Sequence, residues 1–244
     1  EDILVEDGMV NPDFKETRSG LTRSKIEWIV YHETGNTNIY AKAKGHSNYI
    51  QSGPKGVSWH FTVDDTQIFQ HIPIYEVAWH AGDGTKPKGV WTKDEHILLG
   101  GGNMFGVGIE TCVNEGVNYN KVMRKTAKLI GAKLLIDCNL TIDAVKQHYD
   151  FSGKNCPQGI RNANRFQEVL DLIQMEYYAE KHNFKELVFH WASLSPKYLD
   201  QEGYIIGEPK DQTKVSYMVT VKNKHVSYTF GPYTTTIHIK EEGV

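Results

Sequence analysis

The sequence predicts a mixed α/β domain, a central sheet flanked by helices, followed by a small antiparallel β appendage. Three observations predict it. Nearly continuous apolar runs at 26–32 and 107–113 read as strands buried on both faces. Two stretches after them carry apolar residues at helical spacing, Met123, Ala127, Ile130 and Leu134 in one, Phe166, Val169, Leu170, Ile173 and Tyr177 in another. Near residue 181 the composition shifts to Thr, Val, Tyr and Lys. Strands alternating with helices give a layered α/β domain, so we divide the chain into 1–180 and a β-rich region, 181–244.

Each element follows from local pattern. Residues 1–23 are polar, hold the turn pair Asn11-Pro12, and read as an extended arm. After the strand at 26–32, residues 40–52 form a short helix closed by Gly53-Pro54. Residues 59–63 and 67–72 flank Asp64-Asp65-Thr66 as a hairpin. Residues 77–81 are a short strand or extended loop, and 82–103, rich in Gly and Lys, a long surface loop. The strand at 107–113 precedes a helix at 120–138. Residues 142–147 lead into His148, and 149–160 form a loop with Gly153, Pro157 and Gly159. A second amphipathic helix spans 162–178. In the appendage, 215–221, 226–230 and 234–240 read as three strands, with turns at Asn223-Lys224-His225 and Gly231-Pro232. A core this thin is marginal alone and is expected to pack on the main domain or on a neighbour.

Composition narrows the function. With 244 residues, 39% hydrophobic and 23% charged, the chain is of globular type. No apolar run approaches the roughly 18–20 residues that span a bilayer. A net charge of -3 gives no global attraction to nucleic acid or to an anionic membrane. Eleven histidines against three cysteines favour imidazole chemistry. Three cysteines allow at most one disulfide, which excludes a disulfide-stapled mini-domain. Nothing at the N-terminus resembles a signal peptide.

Four segments carry chemistry: Tyr31-His32, Trp59-His60, Gly108-Ile109-Glu110, and the stretch from His148 to Cys156. Zinc accepts imidazole nitrogen and thiolate sulfur, and a hydrolytic site keeps its fourth position for water. His32, His148 and Cys156 supply such a set, because a loop with Gly153 and Pro157 can curl His148 and Cys156 onto one ion. Glu110 is a carboxylate in an apolar strand, suited to carry a proton from water to a leaving amine. Lys154 is placed to face the charge that grows on a carbonyl oxygen. Trp59, His60 and His80 are expected to line the substrate groove, with support of the metal site or plain packing as alternatives. Cys112 and Cys138 read as inert buried thiols. The run Gly100-Gly101-Gly102 lacks the Gly-Lys-Ser/Thr ending of a phosphate loop.

These segments together resemble the type-2 N-acetylmuramoyl-L-alanine amidases, which include phage endolysins and bacterial autolysins, with peptidoglycan recognition proteins as relatives. The matching pieces are Val-Tyr-His-Glu-Thr at 30–34, Ser-Trp-His-Phe-Thr-Val-Asp at 58–64, Ala-Trp-His-Ala-Gly at 78–82, Val-Gly-Ile-Glu at 107–110, and His148 to Cys156 with Lys154 and Pro157. The resemblance covers about residues 20–178. It implies a mixed sheet of five or six strands with zinc on the floor of a groove, held by His32, His148 and Cys156, one ion per chain, and assisted by Glu110 and Lys154. It implies hydrolysis of the bond between N-acetylmuramic acid and L-alanine in bacterial peptidoglycan. The endolysin branch further implies a phage-encoded enzyme, made in the host cytoplasm, that acts on the cell wall. Two alternatives stay open: a module that grips peptidoglycan without cutting it, and a zinc peptidase acting within the stem peptide.

Overall fold

The apolar run that begins near Ile26 forms a strand with parallel partners on both sides, and the first unit is built around it. The computed structural model describes residues 3–86, 91–93, 96–182, 188–201, 203–210, 212–222 and 227–237. The chain divides into two units, Glu1–Lys181 and His182–Val244. Along the first run β1 (Glu6–Asp7), β2 (Trp28–Glu33), α1 (Ala43–Gln51), β3 (Phe61–Val63), β4 (Ile68–Gln70), β5 (Trp91–Lys93), β6 (His96–Leu98), α2 (Gly102–Phe105), β7 (Gly106–Thr111), α3 (Tyr119–Lys128), α4 (Leu135–Asp137), β8 (Val145–Gln147), α5 (Tyr149–Ser152), α6 (Gln158–Asn162) and α7 (Phe166–Lys181). A π-helical stretch, Leu129–Leu134, joins α3 to α4. Among the described residues no helix is long and apolar enough to cross a membrane.

Six strands make one mixed sheet in the order β1-β4-β3-β7-β2-β8. The four strands β3, β7, β2 and β8 are parallel, and β4 is antiparallel to β3. Side chains alternate across the sheet. Ile29, Tyr31, Phe61, Val63, Val107 and Ile109 meet Met123, Ala127, Ile130, Leu134, Val169 and Ile173 of the helices in one core. Each large apolar side chain fully buried there contributes about 1.5–3 kcal/mol. The opposite face holds Val30 under Ala81 and Phe151. By the same alternation His32 and Glu110 belong to that face, away from the core helices.

Several expected loops and strands are corrected. The segment 82–103 contains the β5–β6 hairpin and α2, and residues 87–90 and 94–95 lie outside the described residues. Elements of three or four residues are too short to show periodicity. The loop at 149–160 holds α5 and α6. The arm at 1–23 contributes β1, which pairs in parallel with β4. Of the two forms expected for residues 77–81, strand or loop, the loop is the one present.

The second unit is a three-stranded antiparallel sheet in the order β11-β10-β9, of β9 (Val188–Ser193), β10 (Thr213–Lys222) and β11 (Ser227–Ile237). β9 was not expected. The two strands expected at 226–230 and 234–240 are one strand, β11, and residues 238–240 lie outside the described residues. The pair Gly231-Pro232 sits in β11 where the pairing slips opposite Tyr217 and Val219, instead of making a turn. Proline is tolerated there because β11 is an edge strand with a bulge. The turn expected at 223–225 lies outside the described residues.

Candidate active site

Parallel strands present their carboxyl ends on one side of a sheet, where α/β folds place their sites. His32 is the next-to-last residue of β2 and pairs in register with Glu110 near the end of β7. His148 directly follows β8, the other neighbour of β2. Topology alone therefore brings His32, Glu110 and His148 to one edge. The short helix α5 then turns the chain back, and Cys156 returns to the same place: Cys156 donates no side-chain bond stronger than a 3.8 Å contact with the Glu33 carbonyl, while its Sγ lies 3.8 Å from His32 Nδ1.

The ring orientation of His32 follows from its partners. His80 Nε2 lies 3.3 Å from the Gly106 carbonyl, which can only accept, so the His80 proton is on Nε2. His80 Nδ1 must then accept, and His32 Nε2 donates to it at 3.0 Å. That leaves His32 Nδ1 as a lone pair, 3.1 Å from His148 Nδ1. The other side of the His148 ring lies against the same loop: its Nε2 would be 3.3 Å from a Cβ on Gly82, and the Ala81 backbone acts on the ring in the direction that favours a proton. Gly108 makes room for this chain of rings: a Cβ there would lie 2.6 Å from the His80 ring.

The donor set fits zinc. One ligand atom from each of His32, His148 and Cys156 lies within 4.8 Å of the others, and all three residues are buried. Tetrahedral zinc with ordinary Zn–N and Zn–S lengths separates two nitrogens by about 3.3 Å and nitrogen from sulfur by about 3.6 Å. The 3.1 Å and 3.8 Å separations at His32 Nδ1 are close to those values. Burial, and then the neighbouring His148 and His80, keep His32 well below the usual histidine range. Burial, with Lys154, pulls His148 down to about 4, and burial pushes the Cys156 thiol up to about 12. Neutral imidazoles are the ligating form. A buried thiol needs an adjacent cation to become the thiolate.

Glu110 Oε1 lies 3.8 Å from His32 Nδ1, and Glu110 Oε2 has no hydrogen-bond partner. Burial pushes its carboxyl up to about 7, against the opposing pull of Lys154. Lys154 is exposed at the rim, and its charge is felt by His32, His148, Cys156 and Glu110. Beside Glu110 opens a cavity of about 590 Å³ whose walls include Thr34, His46, Tyr49, Val57 and Trp59. Tyr49 stacks on Trp59 with centroids 6.4 Å apart. Thr34 Oγ1 and His46 Nε2 are, like Glu110 Oε2, buried polar atoms without a partner. Polar groups of a ligand in this cavity would find three atoms ready to bond.

Of the roles expected for His60 and His80, lining the groove, supporting the metal site or plain packing, the contacts favour the last two. Trp59 and His60, just before β3, have different surroundings. Trp59 faces the cavity and donates to Thr62 Oγ1. His60 is fully buried, accepts the Gly108 N–H at Nδ1 and donates from Nε2 to the Glu76 carbonyl. His80 supports His32 from behind. Cys112 is buried against Ala43 and Phe69, and all three cysteines are free thiols.

Sequence reasoning missed Glu33. Its carboxylate accepts the backbone N–H of Gly159 at 2.6 Å and of Ile160 at 3.2 Å, and the Tyr119 hydroxyl at 2.7 Å. It thereby caps α6, the helix that follows Cys156. The only available signal was a carboxylate beside His32 in an apolar strand.

Comparison with known proteins agrees with this geometry. Residues 22–159 match the family described as N-acetylmuramoyl-L-alanine amidase. Over 131 residues the chain is 37% identical to the N-acetylmuramoyl-L-alanine amidase XlyA of Bacillus subtilis, covering 54% of this chain and 39% of that protein. It is 39% identical over 131 residues to CwlH of the same organism, covering 54% of this chain and 47% of the other. The chain thus spans less than half the length of these curated relatives. The solved catalytic domain of XlyA superposes with a TM-score of 0.60 at 30% identity, covering 70% of this chain and 99% of that domain. The matched residues contain β2, β7, β8 and all three candidate ligands, and the chain belongs to the N-acetylmuramoyl-L-alanine amidase family.

Proposed function

We propose that this chain hydrolyses the amide bond between N-acetylmuramic acid and L-alanine in bacterial peptidoglycan, with one zinc ion held by His32, His148 and Cys156. The observation that carries the reading is the convergence of these three donors beside Glu110 at the carboxyl ends of parallel strands. Zinc bound there would polarise the scissile carbonyl and lower the pKa of a bound water from about 16 toward about 7.

The chain's own residues do the rest. Glu110 takes a proton from the attacking water and passes it to the leaving amine nitrogen as the carbon–nitrogen bond breaks and the carbon–oxygen bond forms. Burial favours the protonated Glu110 carboxyl, and the charge of zinc bound beside it would favour the carboxylate, so the two oppose each other at this group. Lys154 faces the negative charge that develops on the carbonyl oxygen. His80 keeps His32 in the tautomer that presents Nδ1, and the loop at Ala81 and Gly82 backs the ring of His148. Trp59 and Tyr49 supply an aromatic wall for the substrate. Catalysis is assigned to residues 1–180, and residues 181–244 supply no catalytic group. A phage-encoded origin, with synthesis in the host cytoplasm and action on the wall, belongs to the same proposal.

Mass spectrometry of digested cell walls tests it. Free glycan strands with intact stem peptides are expected. Cleaved stem peptides would make the chain a peptidase, and absence of products would make it a binding module.

A further inference from the structure

We propose that Asn103, braced by Asp83, is a positioning residue that sets the orientation of both candidate zinc histidines without approaching the metal position itself. The inference rests on the zinc reading of His32, His148 and Cys156.

The two histidines lean on adjacent residues of one loop. His32 donates to the ring of His80, and the His148 ring lies against the next turn of the loop, its Nε2 3.3 Å from where a Cβ on Gly82 would stand, with the Ala81 backbone beside it. That loop is not part of a strand, so no ladder of backbone bonds fixes it. Ser58 bonds its start at Trp79, and one side-chain atom takes both N–H groups of the pair that follows. Asn103 Oδ1 accepts the backbone N–H of His80 at 2.8 Å and of Ala81 at 2.7 Å. Asn103 Nδ2 donates to the Gly84 carbonyl at 3.1 Å, three residues further along. Every hydrogen bond Asn103 makes through its amide thus goes to the segment 80–84.

Asn103 is itself clamped. Asp83 Oδ2 accepts the Gly102 N–H at 2.6 Å and Asp83 Oδ1 accepts the Asn103 N–H at 3.1 Å. Asp83 and Asn103 are both nearly fully buried. The loop and α2 therefore grip each other reciprocally: a loop carboxylate caps the helix, and a helix amide caps the loop. The glycine run that carries no phosphate motif makes this possible. A Cβ on Gly102 would lie 2.5 Å from Ala81 Cβ and 2.7 Å from the ring of Phe151. Phe151 belongs to α5, which begins one residue after His148. The clasp, the loop and the base of the His148 turn are packed as one block.

Removing the Asn103 acceptor leaves two adjacent N–H groups unpaired and frees His80 and Ala81 to shift together. Both histidine Nδ1 atoms then lose their aim at once. Loss of a partner that orients a metal-bound histidine typically weakens metal binding by about 10–100-fold.

The test measures zinc affinity of the full chain by competition with a chromophoric chelator, together with the visible spectrum of the cobalt-substituted protein. Asn103→Leu is expected to weaken zinc binding about 10–100-fold and to change the cobalt spectrum. Asn103→Asp, which keeps an acceptor for both N–H groups but loses the donor to Gly84, should bind zinc more tightly than Asn103→Leu and less tightly than wild type. Asp83→Asn, a milder change that keeps one acceptor, should weaken binding in the same direction and serves if Asn103→Leu does not fold. A purely structural role would lower thermal stability and leave the zinc affinity and cobalt spectrum of the folded variants unchanged, which overturns the proposal. A wild-type chain that binds no zinc overturns the reading of the site as well, whereas wild-type binding with unaffected variants overturns the clasp alone.

Discussion

The carboxylate of Glu33 accepts the backbone N–H of Gly159 at 2.6 Å, and so fastens the strand that carries His32 to the helix that follows Cys156. Its neighbour in sequence is one candidate ligand, and its partner in space lies three residues from another. Replacing Glu33 by Ala leaves the Gly159 and Ile160 N–H groups and the Tyr119 hydroxyl without their acceptor. We expect a loss of about 2 kcal/mol in stability and about 10-fold in zinc affinity. Glu33→Gln, which retains an amide oxygen, should lose less of both. Chemical denaturation and chelator competition on the two variants check the prediction. Zinc binding at wild-type strength in Glu33→Ala would mean that Cys156 is positioned by other contacts.

Cys156→Ser should remove most of the zinc and nearly all wall lysis. A serine hydroxyl is a poor zinc ligand beside a thiolate, and zinc affinity falls with each ligand lost. Metal analysis of the wild-type protein should give one zinc per chain. Treatment with a chelator should abolish lysis, and added zinc should restore it. Full lysis by a zinc-free Cys156→Ser protein would sink the site.

Glu110→Ala should keep the metal and lose rate by roughly 10²–10⁴-fold, the usual range for a general acid–base group. Its carboxylate sits 3.8 Å from His32 Nδ1, beside the donor set and open to the cavity. Zinc content and turnover of a soluble muropeptide are the two readouts. Loss of zinc along with rate would make Glu110 a ligand, and wild-type values of both would make it structural.

The parts of this protein that could be read from its sequence are those whose cause is local. β2 and β7 announce themselves as apolar runs, and β3 and β4 as alternation around an aspartate turn. His32, His148 and Cys156 stand out because imidazole and thiol are rare, chemically specific groups at suggestive positions. What could not be read depends on partners far along the chain. The helices α2 and α6 have only four and five residues, and neither has a capping side chain of its own. Asp83 caps the first from 19 residues away, and Glu33 caps the second from 126. The sequence leaves His60 open between groove, metal support and packing, because its partners, the Gly108 N–H and the Glu76 carbonyl, come from distant segments. In the second unit, β11 runs through a Gly-Pro pair that punctuates most sequences, because an edge strand spares proline the missing donor.

Acid should destabilise the first unit through His71, at a distance from the zinc ligands in sequence and in hydrogen bonding. His71 Nδ1 donates to the Gly8 carbonyl at 3.1 Å, so its Nε2 is the lone pair that accepts the Thr62 hydroxyl at 2.8 Å. Thr62 Oγ1 accepts in turn from Trp59 Nε1 at 2.7 Å. The chain of bonds ties the N-terminal arm to β3 and to the cavity wall, and it is complete only with a neutral ring. Burial pulls His71 down to about 4, with the charge of His46 acting in the same direction. The unfolded chain, with an ordinary histidine pKa of about 6.5, therefore takes up the proton first as pH falls. Stability from this group is fully present above about pH 6.5 and is lost progressively down to about pH 4. Between pH 7 and pH 5 the loss is about 2 kcal/mol. His71→Gln should be less stable than wild type at pH 7, since it breaks the bond chain, but it should lose about 2 kcal/mol less on going to pH 5. Urea unfolding of both proteins at the two pH values, with zinc held saturating, measures this difference. Equal acid sensitivity in the two would show that His71 is already protonated in the folded protein, and that the tautomer fixed by Gly8 and Thr62 is not the one present.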